Sequence, residues 1–535
     1  MHNSFIEIDR SFITKPYEIA NYFNNYFINK VDRLRNDMCT TSNKGSNDRI
    51  KKSIMNGRVC MFGFHQVMEE NIEKMLLHLS DDKPPGTDNL DCRLLRIAAK
   101  YISKPLCHIF NKCLEGGVCP EIWKEAKVIP LPKDKRATFA GPNSRPISLL
   151  PVLSKILEKI VYDQIQDYLS NNKLITSCQH AYRPGHSTST ALAQMTDDWL
   201  KKMDEKRLVG TVLLDFSAAF DVIDKDLLLG KLECYGFDSV ALSWMESYLS
   251  KRKQRVFFNG SFSDSKELQC GVPQGSSLGP LLFSIFTNDL PLVLNKSTVV
   301  MYADDSTMYS TASTVDELND ILNYEIKAVA DWVHENKLVL NIAKTKCMVF
   351  GSRHKLEGNP QLSLSVVGKP VEQVTEAKLL GVVLDPKLNW TRQIDNIVTK
   401  MGRSIAITRK CMMYIPPKTR KAVIQALVLS HLEYCPVIWS SATKIDLHKL
   451  QIAQNKAARL ALQCSNRTHI AEMHSNLSWL TVENRLHSRT LTFFRNVLFD
   501  KKPQYFLQNF VILRKILRLG AIKTKYHRYN GVSVG

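Results

Sequence analysis

The residues with chemistry to offer are, first, three aspartates. Asp215 ends the β-prone run Thr211–Leu214 in "GTVLLDFSAAFDVIDKDLL", and Asp304 and Asp305 stand side by side in "STVVMYADDSTMYS". An Asp pair between two apolar runs reads first as a turn, because aspartate bonds to its own backbone and tolerates reversals. A lone Asp where an apolar run ends and a helix-forming segment begins reads first as an N-cap. Taken together they suggest more. Val299–Tyr302 and Thr307–Tyr309 are strand-like, with Asp304 and Asp305 at the tip of their hairpin. If that hairpin lies beside the strand ending at Asp215, three carboxylates converge. Two carboxylates about 4 Å apart repel by roughly 4 kcal/mol at an effective dielectric near 20. Such a cluster needs protons or cations, and hard oxygen donors suit Mg²⁺. A pair of such ions serves in-line phosphoryl transfer, one activating an attacking hydroxyl and the other stabilising a leaving pyrophosphate.

Between these acids lies "QCGVPQGSSLGPLLFSIFTNDL" (269–290), where Gly271, Gly275 and Gly279 alternate with Pro273 and Pro280. That composition suits a loop whose backbone approaches a ligand closely, followed by an apolar helix. By itself it is equally an ordinary loop leading into a core helix. The charge adds direction: 72 Lys and Arg against 52 Asp and Glu give +20, which favours a polyanionic partner through phosphate contacts. One metal-like spacing, Cys464, His469 and His474 in "CSNRTHIAEMH", lacks the further cysteine a zinc knuckle wants, since Ala461 holds that position. It reads as packing and surface. The thirteen cysteines contain no CxxC pair and read as free thiols in a reducing compartment.

The elements that must position these residues follow from pattern. A length of 535 residues allows two to four domain-sized units. No apolar run approaches the roughly eighteen residues of a membrane span, and the polar start "MHNSFIEIDR" has no signal-peptide core. The expectation is an intracellular protein of nucleus or cytoplasm, neither secreted nor membrane-spanning. "TKPYEIANYFNNYFINKV" predicts a helix with Thr14 as a cap, Pro16 in the first turn and an apolar stripe of Ile19, Tyr22, Phe23, Tyr26 and Phe27. "DDKPPGTDN" (81–89) is a turn cluster before the helical "DCRLLRIAAKYISKPLCHIFNKCL". "AKVIPLPKDKRATFAGPNSRPISLL" reads as a strand, a basic loop and an extended Arg-Pro segment before the helix "SKILEKIVYDQIQDYL". Beyond about Asp385 the pattern turns helical again. The order is a helical lead, a mixed α+β centre and a helical tail.

The set "LLDFSAAFD", "GVPQGSSLGPLLF" and "YADD" resembles motifs A, B and C of reverse transcriptases. "WKEAKVIPLPK" and "RPISLLPVLSKILEKI" resemble the fingers motifs, and "QHAYRPGHSTSTAL" the segment that follows them in non-LTR, LINE-type elements. "DWVHENKLVLNIAKTKCMVFGS" resembles motif D and "KLLGVVLDPKLNW" the motif E region. "LEYCPVIWSS" with "LQIAQNKAARLAL" is similar to the post-polymerase region of jockey-like elements. The likeness runs from about residue 10 to 495, in register throughout.

The resemblance implies an α+β right-hand polymerase: fingers, a palm with an antiparallel sheet, and a helical thumb, with helical extensions at both ends. Its boundaries would be an N-terminal linker-like extension at 1–60, a segment leading into the fingers at 61–112, the reverse transcriptase domain at 113–384, and the thumb and C-terminal region at 385–535. It implies RNA-directed DNA synthesis on a primer 3′-hydroxyl, with an RNA template, a DNA primer and dNTPs as partners and two Mg²⁺ ions, or Mn²⁺, as cofactor. Asp215, Asp304 and Asp305 would bind the metals, with the Phe216 carbonyl as a further ligand. Phe220 would be the aromatic gate that leaves no room for a 2′-hydroxyl, and Asp221, one residue too late to accept that hydroxyl, would be structural. Gln274 and Gly275 would line the nucleotide pocket. Arg145 would meet the triphosphate, where a planar donor fork suits phosphate oxygens, with Lys133 a second cation. Lys344 would protonate the leaving pyrophosphate as a general acid, with Lys346 its competitor. Two departures stand away from this chemistry: Ser144 where Tyr is frequent, and "QHAYR" for "QxGFR". Neither an endonuclease domain nor an RNase H acid constellation is legible, so the expectation is a piece of a retrotransposon ORF2 lacking its endonuclease. The alternative is a catalytically silent nucleic-acid-binding remnant of a decayed element.

Overall fold

The computed structural model describes residues 6–8, 11–36, 44–54, 61–82, 84–133 and 139–508. Parts of the expected lead, basic loop and tail lie outside the described residues. The chain divides into two compact units interleaved along the sequence. One comprises 1–182, 215–295 and 326–341, the other 183–214, 296–325 and 342–535.

Among the described residues two five-stranded sheets dominate. Their strands are β1 (Glu125–Pro132), β2 (Ser144–Leu149), β3 (Leu208–Leu214), β4 (Lys253–Phe258), β5 (Ser261–Phe262), β6 (Lys266–Glu267), β7 (Thr298–Tyr302), β8 (Asp305–Ala312), β9 (Lys346–Phe350) and β10 (Glu372–Gln373). The first unit holds the sheet β2-β1-β4-β5, with β6 also on β4. There β1 runs antiparallel to β2 and parallel to β4. Along β1 partly buried and buried residues alternate, as a strand with one covered face requires. That face packs Ala126 and Val128 with Val256 against Ile19, Phe23 and Phe27 of the Pro16–Asn36 helix. The aromatic stripe expected in that helix is therefore what covers the sheet.

Two further helices of the first unit matter for position. Cys92–Glu115, N-capped by Asp91, continues through Pro105, and Val152–Asn171 buries Ile156, Ile160, Val161 and Ile165. A wholly buried ion pair ties the Lys225–Cys234 helix to the segment after Phe286: Lys231 Nζ donates to Asp289 at 2.7 Å, and the Ser46 hydroxyl donates to the other carboxylate oxygen at 2.7 Å. Supplying hydrogen bonds to both oxygens is what makes a buried carboxylate tolerable.

The second unit holds the sheet β10-β9-β3-β8-β7, antiparallel except for the parallel edge pair β9–β10. The sequence reading expects an antiparallel sheet; the parallel edge pair makes this one mixed. Central β3 is buried almost throughout, which explains its continuous apolar run where an edge strand would alternate. Val209, Val300, Met348 and Phe350 from this sheet join Trp199, Trp390, Ile394 and Trp439 in one core. Each fully buried aliphatic or phenyl side chain there contributes about 1.5–3 kcal/mol. Beyond Asp385 the described chain is helical, including Thr391–Arg409, Lys444–Leu462 and Val482–Asp500. Among the described residues no helix is long and apolar enough to cross a membrane.

Candidate active site

In the second unit, β7 and β8 are joined by a two-residue turn of Ala303 and Asp304, closed by the pair Tyr302–Asp305. The sequence reading put both aspartates at the tip. The structure puts Asp304 in the turn and makes Asp305 the first residue of β8, so the two carboxylates leave different parts of the hairpin. Ala303 has φ +56°, a left-handed conformation that costs a residue with a Cβ about 1 kcal/mol. Both aspartates are exposed, whereas Ser306–Ser310 behind them are buried. The acids thus stand at the wet rim of a rigid sheet.

Strand register decides what shares that rim. Ser306 is paired with Leu214 and Lys346 with Leu213, so the turn, the C-terminal end of β3 and the N-terminal end of β9 lie at one edge. Asp215 is the next residue of the chain after Leu214. Lys344 comes two residues before Lys346 and is exposed. Lys346 is engaged: its ammonium donates to the Ala343 carbonyl at 3.0 Å and pairs with Glu372.

In the first unit the segment after Asp215 is a turn, and the expected helix is delayed. The Asp215 carbonyl accepts from Asn341 N at 2.7 Å, Ser217 N donates to Val339 O at 2.8 Å, and the buried Phe216 bridges Leu340. The helix begins only at Lys225, capped by Asp224, whose Oδ1 accepts from Leu227 N at 3.1 Å. Burial pushes the Asp224 carboxyl up, but Lys337 at 2.9 Å, the Leu227 amide and Arg35 at 2.8 Å outweigh it and hold the group below the usual carboxylate range. The N-cap role that an aspartate in this stretch invites belongs to Asp224, which leaves Asp215 outside it. Phe220 is half-buried and stacks on Phe283, with ring centroids 4.6 Å apart.

The Gly/Pro loop is sewn onto that turn. Gly271 N donates to Ile223 O at 2.8 Å and Val272 N to Phe220 O at 2.9 Å. The Gln274 carbonyl accepts from Ser148 N of β2 at 2.8 Å, and its side-chain Nε2 donates to Asp221 Oδ1 at 2.7 Å. Gly275 has φ +125°, and a Cβ there would stand 2.4 Å from the Ser148 carbonyl oxygen. Only glycine fits, for conformation and for space. The loop then runs into the Gly279–Phe286 helix, buried almost entirely.

Residues 132–384 match the reverse transcriptase (RNA-dependent DNA polymerase) family. This chain carries a reverse transcriptase domain. It is 28% identical to the probable RNA-directed DNA polymerase from transposon BS of Drosophila melanogaster, over 79% of this chain and 47% of that protein. It is 28% identical to the RNA-directed DNA polymerase from mobile element jockey of the same fly, over 73% of this chain and 43% of that protein. A third relative, the probable RNA-directed DNA polymerase from transposon X-element, is 24% identical over 78% of this chain and 46% of its own length. The chain spans a little under half the length of these curated relatives.

All the candidate residues, from Lys133 to Lys344, lie within the matched reverse transcriptase domain. Arg145 sits on β2 opposite Leu131 and is exposed. Lys133 is partly committed, its ammonium donating to the Pro142 carbonyl at 2.6 Å and its backbone N–H to Asn143 O at 2.7 Å. Among the described residues no three His, Cys, Asp or Glu side chains already stand close enough together to hold an ion. Asp304 and Asp305 nevertheless supply adjacent oxygen donors at an exposed rim, the donor chemistry that suits Mg²⁺. The His474 ring bonds Asn455 at 3.0 Å, and His469 caps the Ile470–Leu477 helix, so both have structural work. None of the eleven described cysteines is in a disulfide.

Sequence reasoning missed one support of the reverse transcriptase loop. Glu158, fully buried, accepts from Ser277 N at 2.6 Å and from the Tyr248 hydroxyl at 3.2 Å. Burial pushes its carboxyl up against the pull of Arg252, the Ser277 amide and Tyr248. The signal was present: Ser154, Glu158, Val161 and Ile165 form one buried helical stripe, and an acid in such a stripe needs a partner.

Proposed function

We propose that the chain is an RNA-directed DNA polymerase, extending a primer 3′-hydroxyl with dNTPs on an RNA template. The observation that carries this reading is the strand register, which sets the Asp304–Asp305 turn and the end of β3 at one sheet edge within a domain matching the reverse transcriptases. Asp215, one residue beyond that end, joins Asp304 and Asp305 as the metal-binding carboxylates, with the Phe216 carbonyl beside them. Mg²⁺, when bound there, would activate the attacking hydroxyl and stabilise the leaving pyrophosphate.

The chain's own residues do the rest. Phe220, braced by Phe283, presses on the sugar and excludes a 2′-hydroxyl. Gln274 and Gly275 form the floor of the nucleotide pocket, and Arg145 grips phosphate oxygens. Lys133 adds a second cation there. Lys344 holds the proton that the pyrophosphate takes, and Lys346, its competitor, pairs with Glu372. The sheet of the first unit belongs to fingers, that of the second to palm, and the helices after Asp385 to a thumb. A formal charge of +20 suits a protein that tracks two phosphate backbones.

The test is extension of a DNA primer annealed to RNA, with dNTPs and Mg²⁺. Asp304→Asn removes a carboxylate and should lower extension on the order of a hundredfold or more. Undiminished extension by that variant overturns the assignment.

A further inference from the structure

We infer that Asp221 is a positioning residue for the incoming nucleotide: its carboxylate fixes the side-chain amide of Gln274 and so sets which face of that amide the nucleotide meets. This rests on the polymerase reading and deepens it, because the spacing from Asp215 left Asp221 only a structural part.

The geometry is specific. Gln274 Nε2 donates to Asp221 Oδ1 at 2.7 Å, while its backbone carbonyl is held by Ser148 N at 2.8 Å. Both ends of the glutamine are therefore fixed. Asp221 is fixed in turn. Its backbone N–H donates to Ala218 O at 2.8 Å, and its own carbonyl lies against Gly271, where a Cβ would come within 2.5 Å. A carboxylate only accepts, so the bond commits the NH₂ end of Gln274 inward and turns its Oε1 away. An amide without that partner takes either orientation.

Asp221 and Gln274 line a cavity of about 270 Å³ enclosed by the Pro16–Asn36 helix, β2 and the Gly/Pro loop. The titratable groups facing it are Tyr26, Lys30 and Asp32 of the helix, and Glu267 and Cys270 beside the loop; β2 contributes Ser144, Pro146 and Ser148, and β4 contributes Gln254. Burial pushes the Asp221 carboxyl up to about 6, against the Gln274 bond and the charge of Lys30. Above that value the group accepts from Gln274. Below it the protonated group still accepts through one oxygen, but the bond loses its charge assistance and the new O–H can pair with the amide oxygen instead, so the orientation is held more loosely.

Single-nucleotide extension on primed RNA tests the role. Asp221→Ala should raise the dNTP KM about tenfold, the usual net worth of such a hydrogen bond, with kcat within about threefold. Asp221→Asn keeps an acceptor oxygen and should hold KM within about threefold at pH 7.5. It should also remove the rise in KM that the wild type shows as pH falls through about 6. In a Gln274→Ala background, Asp221→Ala should add nothing to KM. Additive effects, an unchanged KM in Asp221→Ala, or a loss confined to kcat overturns the positioning role. If Asp221→Ala proves unfolded, the Asp221→Asn pH profile decides. Extension that Asp304→Asn abolishes but Asp221 variants leave alone sinks this inference only. A wild type that extends no primer sinks both.

Discussion

The turn that carries Asp304 and Asp305 and the loop that carries Gln274 and Gly275 are built in opposite ways. The turn is held from outside itself. Strand ladders to β3 and β7 fix its place, its acids are exposed, and the one local cost is the left-handed Ala303. The loop has no ladder. It is held by individual hydrogen bonds to Ile223, Phe220, Ser148, Asp221 and Glu158, and by two glycines whose missing side chains leave room for other backbone. On the proposed reading the rim accepts cations, and it is served by a rigid scaffold and exposed carboxylates. On the same reading the loop lines a nucleotide pocket, where each group has to be aimed, and directed hydrogen bonds do that aiming.

That contrast can be broken experimentally. The largest effect is the loss of extension in Asp304→Asn, where chemistry fails while the ladder, and with it the melting temperature, stays close to wild type. Next is Lys344→Ala: a general acid contributes at least about a hundredfold, so its loss should approach that figure, whereas Lys346→Ala should change turnover by less than about twofold. Equal losses in the two variants would deny Lys344 its role. Gly275→Val forces a Cβ against the Ser148 carbonyl at an unfavourable φ, and about 2 kcal/mol of strain predicts a roughly thirtyfold fall in kcat/KM. A neutral result would mean the loop is soft and its hydrogen bonds dispensable. The smallest effect is on discrimination. Phe220→Val should raise the ratio of ribonucleotide to deoxynucleotide incorporation about tenfold, the worth of a single methylene-sized contact, measured in competition assays. An unchanged ratio removes the gate.

Much of the turn was legible in the amino-acid sequence and little of the loop was. Val299–Tyr302 and Thr307–Tyr309 announce strands through their apolar, β-branched and aromatic content, and Asp between them announces reversal. Both signals are local. The error there was a single residue: the sequence reading put both aspartates at the tip, and pairing register moved Asp305 into β8. The N-cap signal behind Asp215 was also real but belonged to Asp224, nine residues on, because bonds from Ser217 and Asn341 to distant partners keep the intervening segment in a turn. Asp221 and Glu158 looked like ordinary acids, since a carboxylate's partner is invisible when it lies 53 or 119 residues away along the chain.

By itself the sequence determined the chemical inventory: three carboxylates, a glycine-rich loop, a basic surface, and the strand and helix periods that carry them. These depend on residue type and on neighbours within a few positions, where sterics and hydrogen bonding are local. Only the tertiary structure decided that Lys346 pairs with Glu372, that Glu158 props the loop, and that Asp221 grips Gln274. Those facts depend on which distant groups are buried together, and burial is what turns an unremarkable acid into one that must find a partner.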